Sequence, residues 1–138
     1  LLSAGFGGCE AVSLLLTPDE LRDLTGQPLP DATSQIAAAQ QLVQSKQAEI
    51  VAVSLGADGA MVVSADAQWH AKSIQVNVKT TIGAGDSFVA GMVWSLGRGS
   101  HLTEAFQFAM AAGAAALMSP GTSLCAAEDV HRLKLSHI

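Results

Sequence analysis

Ile50-Val51-Ala52-Val53-Ser54-Leu55 is an apolar run without polar alternation, closed by Gly56. A strand with one wet face alternates; one that does not is covered on both faces, and helices supply such a cover. The run therefore predicts an α/β architecture, with helices packed on a sheet. Its flanks agree. Thr17-Pro18-Asp19-Glu20 has the form of a helix start, with Thr17 as N-cap, Pro18 at the first helical position and Glu20 completing a capping box. That short helix ends near Gly26, and a second is expected from about Ala32 to Ser45 with Ile36, Ala39 and Val43 on one face. Met61-Val62-Val63, Trp69-His70-Ala71 and Ile74 to Thr80 are short strand candidates separated by turn residues, as in an antiparallel ribbon.

After Thr80 the period changes from two to 3.6. Gly83-Ala84-Gly85-Asp86 opens a helix with Phe88, Val89, Met92, Val93 and Leu96 on its apolar face, stopped by Gly97-Arg98-Gly99. Ser100 is placed to cap the next helix, which carries Leu102, Ala105, Phe106, Ala109, Gly113, Ala116 and Leu117 and ends at Pro120-Gly121. Small residues on this face allow close backbone approach. A weaker helix follows from about Ala127 to Leu135.

Composition supports a folded unit: 49% of the 138 residues are hydrophobic and 14% charged, with a mean hydropathy of +0.35, far from the signature of disorder. The length suits one compact domain or a piece of a larger one. The chain starts Leu1-Leu2-Ser3 without an initiator Met, as an internal fragment or a processed product would. Seven scattered Lys and Arg against 12 Asp and Glu, net −5, give no footprint for nucleic acid and no polybasic membrane patch. Ala105 to Met118 is too short to span a bilayer, and Leu14-Leu15-Leu16 lacks the positive region of a signal peptide. Cys9 and Cys125 are too few for a disulfide framework, which makes a reducing cytoplasm the expected compartment. His70, His101, His131 and His137 are too widely spaced to suggest a metal site.

The chemistry concentrates in Thr80-Thr81-Ile82-Gly83-Ala84-Gly85-Asp86-Ser87, where a candidate strand runs through a glycine turn into a helix. Two glycines let backbone N–H groups approach a phosphate without an intervening Cβ, and a helix N-terminus adds unpaired donors and partial positive charge. Asp86 at that helix start is favoured in its ionised form and can take a proton from a hydroxyl attacking a terminal phosphate. A tight turn plus an N-cap is the plain alternative, and these residues alone leave both open. There is no Gly-Lys-Ser/Thr ending, so this is no P-loop; a dinucleotide fingerprint would need a small residue where Phe88 stands. A second glycine pair, Ser54-Leu55-Gly56-Ala57-Asp58-Gly59-Ala60, lies at the end of the buried strand. Alone it reads as strand-turn-strand. With the Gly83 turn, the two could face one ligand from two sides.

Ser54-Leu55-Gly56 with Gly59-Ala60, Thr81-Ile82-Gly83-Ala84-Gly85-Asp86-Ser87, Ala111-Ala112-Gly113 and Gly121-Thr122 together resemble the ribokinase-like carbohydrate kinases of the PfkB family. The resemblance covers roughly Glu20 to Leu133. It implies the C-terminal portion of a Rossmann-type α/β sandwich, with residues 17–138 as the nucleotide-binding part and residues 1–16 unassigned. The implied activity is ATP-dependent phosphoryl transfer to a sugar-phosphate hydroxyl, fructose 6-phosphate first, with fructose 1-phosphate or tagatose 6-phosphate as alternatives. By this resemblance Asp86 is the base and the N–H groups of Gly83, Ala84 and Gly85 form the anion hole. Ser54, Gly56, Gly59 and Thr81 line the ATP site, and Met110 and Ala114 lie near the adenine, although their spacing fits plain helix packing as well.

The same resemblance implies Mg2+ and a monovalent cation such as K+, the latter at Thr80, Ile82, Ala116, Ser119, Gly121 and Ser123. Here the pattern departs from the family. Glu20 aligns with the Glu of an Asn-x-x-Glu motif that helps place magnesium, but Thr17 replaces the Asn, and the capping role of Glu20 is the stronger reading. Expected partners are ATP and a sugar phosphate, with a homodimer among the assemblies allowed. A rival reading is a non-catalytic fragment that binds nucleotide weakly or associates with other chains.

Overall fold

Ser13–Leu16 and Ile50–Ser54 lie side by side as parallel strands, and the connection between them is helical, as parallel neighbours require. The computed structural model describes residues 2–4, 13–120 and 126–136. The expectations for Cys9, Gly121, Ser123, Cys125 and His137 fall outside these residues. The described chain divides into two compact units, residues 1–72 and 73–138.

The first unit is a five-stranded sheet in sequential order: β1 (Leu2–Ala4), β2 (Ser13–Leu16), β3 (Ile50–Ser54), β4 (Ala60–Ser64) and β5 (Gln68–Ala71). Only β2 and β3 are parallel; the other pairs are antiparallel. Helices α1 (Pro18–Thr25) and α2 (Ala32–Gln44) make the crossover. The Thr17 capping box is present, with the Glu20 N–H donating to Thr17 Oγ1 at 3.2 Å and the Thr17 N–H to Glu20 Oε1 at 3.3 Å. Gly26 ends α1 in the left-handed conformation, φ 66°. Asp31 caps α2 by a second capping box with Ser34.

One sheet face packs Leu14, Leu16, Val51, Val53, Met61 and Val63 with Leu21 of α1 and Ala39, Leu42 and Val43 of α2. On the other face Leu15, Ala52 and Val62 are buried too. The unalternating β3 is thus buried on both faces, as its sequence requires. So is β2, which lies within the sixteen residues left unassigned by the sequence.

The second unit contains α3 (Ala84–Gly97), α4 (Leu102–Met118) and α5 (Ala127–Ser136). Ala111, Ala112, Ala114 and Ala115 of α4 form a core with Val130 and Leu133 of α5, onto which Ile74, Val76 and Phe108 pack. Two expectations are corrected here. Ile74 to Thr80 forms no strand and joins no sheet. Ile74 and Val76 instead pack against the helical core, so the period-two pattern here reports apolar residues meeting helices, not a strand partner. Ser100 does not cap α4: the N-cap is His101, with no side-chain cap bond, and the Ser100 N–H donates to Ser95 O at 3.2 Å. Among the described residues, no helix is long and apolar enough to cross a membrane.

Candidate functional site

The segment entering α3 is anchored from below by α4. The N–H groups of Lys79 and Thr80 both donate to the Leu117 carbonyl, at 2.7 and 3.3 Å. Thr80 Oγ1 then accepts the Ile82 N–H at 3.1 Å, which turns the chain upward. Gly83 is the N-cap of α3 at φ 85°, ψ −2°, a conformation that disfavours any residue with a Cβ. The Ser87 N–H donates to the Gly83 carbonyl at 2.9 Å and closes the first helical turn.

Four N–H groups remain. Those of Gly83, Ala84, Gly85 and Asp86 donate to no acceptor among the described residues, and the N-cap has no side chain to satisfy them. Unpaired donors at the positive end of a 14-residue helix are a site for an anion. The space around the turn is open among the described residues: a Cβ built on Gly83 or Gly85 would meet nothing within 4 Å. Gly85 therefore fills no tight internal packing position. Asp86, exposed in the first turn of α3, stands beside these donors.

The Ser54–Ala60 turn differs. Gly56 (φ 60°) starts a single 3-10 turn over Gly56–Asp58, and the turn is closed by its own backbone: Asp58 N–H to Leu55 O, Gly59 N–H to Gly56 O, and Leu55 N–H to Gly59 O at 2.8 Å. Gly59 has an internal reason. At φ 100°, a Cβ there would overlap the Ala71 carbonyl oxygen and lie 2.8 Å from Lys72 Cα. Its lack of a side chain lets β4 start beside the end of β5.

The expected site residues thus fall in both units. Ser54, Gly56, Gly59 and Glu20 belong to the first, and Thr80, Thr81, Ile82, Gly83, Ala84, Gly85, Asp86, Met110, Ala114, Ala116 and Ser119 to the second. Within the second unit, the Leu117 hydrogen bonds bring the Thr80 segment to the C-terminal end of α4, where Ala116 and Ser119 lie. That end carries the partial negative charge of the helix dipole, although the Ala115, Ala116 and Leu117 carbonyls already accept hydrogen bonds from Ser119, Lys79 and Thr80. Thr81 and Ile82 are exposed; Ser119 is buried, its Oγ donating to Ala115 O at 3.3 Å. Met110 is half-buried, and Ala114 lies in the α4–α5 core. Among the described residues no three His, Cys, Asp or Glu side chains cluster as metal ligands. A magnesium ion arriving with nucleotide phosphates needs only one or two protein carboxylates.

A groove of about 750 Å³ runs from Gly83 and Asp86 along Ala90 and Gly91 to Trp94, floored by Phe108, Ala112 and Val130. Trp94 is 48% exposed. Its ring stacks on Phe108 at 4.8 Å, and the Arg98 guanidinium lies 4.5 Å from its centroid. No local pattern marks this groove, because Trp94 sits between the buried positions of α3 and the lining residues come from three helices.

Residues 11–129 match the pattern of the pfkB family carbohydrate kinases. This chain belongs to that family. It is 36% identical over 137 residues to the ATP-dependent 6-phosphofructokinase isozyme 2 of Mycobacterium tuberculosis, covering 96% of this chain and 40% of that protein. It is 41% identical over 91 residues to 1-phosphofructokinase of Escherichia coli, covering 64% of this chain and 29% of the relative. Among solved structures, phosphofructokinase-2 from Escherichia coli in complex with potassium matches with a TM-score of 0.86 and 33% identity, over 91% of this chain and 41% of that one. The fold is accordingly ribokinase-like α/β, and the chain spans about 40% of the length of the 6-phosphofructokinase relative. The family match begins at residue 11 and so takes in β2, ahead of the point where the sequence resemblance was read to start.

Proposed function

We propose that this chain carries the nucleotide- and phosphate-handling part of an ATP-dependent carbohydrate kinase that phosphorylates a hydroxyl of a sugar phosphate. The observation that carries the reading is the set of four N–H groups at Gly83–Asp86 that have no acceptor among the described residues, beside an exposed carboxylate. Donors fixed before the reaction stabilise charge gathering on the transferred phosphoryl group without reorganising. Asp86 orients the acceptor hydroxyl and takes its proton as the oxygen attacks in line. Ser54, Gly56, Gly59 and Thr81 line the nucleotide, with Met110 and Ala114 toward the base. Mg2+ arrives with the nucleotide, and K+ is held by oxygens of Thr80, Ile82, Ala116 and Ser119. Residues 17–138 form the nucleotide-binding part.

Fructose 6-phosphate is the first acceptor to test, since the 6-phosphofructokinase relative aligns over 96% of this chain. Fructose 1-phosphate and tagatose 6-phosphate are the alternatives, and the 1-phosphofructokinase relative keeps the first of them in play. The test is calorimetry of a non-hydrolysable ATP analogue with Mg2+, beside a coupled kinase assay. Asp86→Asn is expected to leave analogue affinity within about threefold while reducing any turnover by about 10²–10⁴-fold. Turnover near wild type in Asp86→Asn overturns the base assignment. Binding without turnover in the wild-type chain supports the rival reading, a nucleotide-binding fragment whose acceptor contacts lie elsewhere; the 40% coverage of its relative favours keeping that reading.

A further inference from the structure

We infer that Gly113, in the middle of α4, is a positioning residue for the anion turn. The inference rests on the anion-binding reading above. A Cβ built on Gly113 would lie 3.2 Å from the Ala84 carbonyl oxygen and 3.6 Å from Phe88 Cβ. The first of these is tighter than ordinary van der Waals contact, and the atom it meets is backbone of the residue that follows Gly83. One helical turn further along α4, the Leu117 carbonyl accepts the N–H groups of Lys79 and Thr80. One stretch of α4 therefore fixes the chain on both sides of the turn, by hydrogen bonds before it and by contact with bare backbone after it.

A side chain at Gly113 pushes the start of α3 away by a few tenths of an ångström while the Leu117 bonds hold Thr80 in place. The strain then falls on Ile82–Gly85, whose N–H directions set the fit to a phosphate. Sites of this kind lose activity for displacements well under 1 Å. Glycine in a helix interior is otherwise unfavourable, so its presence here calls for such a contact.

The test compares Gly113→Ala with Gly97→Ala, a glycine where a Cβ meets nothing within 4 Å, using the 138-residue chain. Backbone amide resonances and the affinity for a non-hydrolysable ATP analogue with Mg2+ are read together with the melting temperature. Gly113→Ala is expected to shift the resonances of Ala84, Gly85 and Asp86 and to weaken analogue binding at least fivefold, with Gly97→Ala unchanged in both. Resonances and affinity at wild-type values in Gly113→Ala overturn the inference. If the wild-type chain binds no analogue, the functional reading fails, and the resonances alone then decide for or against Gly113. Amide exchange on the wild-type chain needs no variant: protection of the Lys79 and Thr80 N–H groups to the level of α4 supports the anchoring, and exchange at exposed-loop rates contradicts it.

Discussion

The turns at Gly56–Gly59 and Gly83–Gly85 each bring two glycines together, one after a strand and one at the start of a helix, yet their structural reasons differ. At Gly59 the missing Cβ is required by the protein itself, because the Ala71 carbonyl occupies its place. Three of the turn's N–H groups, those of Leu55, Asp58 and Gly59, are used internally, on the carbonyls of Gly59, Leu55 and Gly56. Among the described residues, nothing lies within 4 Å of the missing Cβ at Gly85, and the surrounding N–H groups have no acceptor. A glycine that fills an internal requirement carries little information about ligands. One whose space is open, beside unpaired donors on a helix N-terminus, points outward to something that must approach the backbone closely.

The contrast makes opposite predictions for the same substitution. Gly59→Ala should have the largest effect on stability, about 3 kcal/mol or more, because positive φ and backbone overlap act together. Thermal unfolding checks it, and a loss under about 1 kcal/mol would mean that the edge of the sheet yields easily. Thr17→Ala should cost about 1 kcal/mol through the lost cap, with nucleotide affinity unchanged. Glu20→Gln sharpens this, since Gln also completes a capping box. If Glu20 serves the helix, the Mg2+ dependence of nucleotide binding stays at its wild-type value in Glu20→Gln; a shifted dependence would assign the carboxylate to the metal.

The smallest effect concerns pH. Hydrogen bonds from the Ser34 backbone N–H, and then from its side chain, hold Asp31 below the ordinary carboxylate value of 3.8. A carboxyl depressed in the folded state contributes stability that is present above its unfolded value and is lost as pH falls through the folded one. The Asp31 contribution to capping α2 should therefore fade only below about pH 4. Comparing melting temperatures of wild type and Asp31→Asn between pH 5 and pH 2.5 checks it: the gap should narrow as pH falls, and a gap constant across that range would contradict the assignment.

Much of this arrangement was legible in the sequence because local chemistry determined it. The Thr17 capping box, the Gly26 stop and the unalternating β3 each follow from residues within one or two turns of one another. The Gly83–Asp86 motif announced donors and a carboxylate at a helix start for the same reason. What the sequence concealed is long-range. Ile74–Thr80 alternates in sequence like a strand, but Ile74 and Val76 pack against helices and Val78 is exposed, and no local signal separates the two cases. Leu14-Leu15-Leu16 is a buried strand whose parallel partner begins more than thirty residues later, although a short apolar run before a helix cap is the hint it offered. The contacts of Gly113 with Ala84, and of Leu117 with Lys79 and Thr80, involve backbone atoms on one or both sides and leave no side-chain signature.

The most direct test of the contrast is Gly85→Ala, with the melting temperature and ATP-analogue affinity measured on the same sample. Alanine is a better helix former than glycine by up to about 1 kcal/mol, and the space at Gly85 is open. Gly85→Ala is expected to melt at or above the wild-type temperature and to lose at least tenfold in affinity. Wild-type affinity in a stable Gly85→Ala chain would contradict that expectation, and would leave the Gly83 turn, like the Gly56 turn, as structure alone.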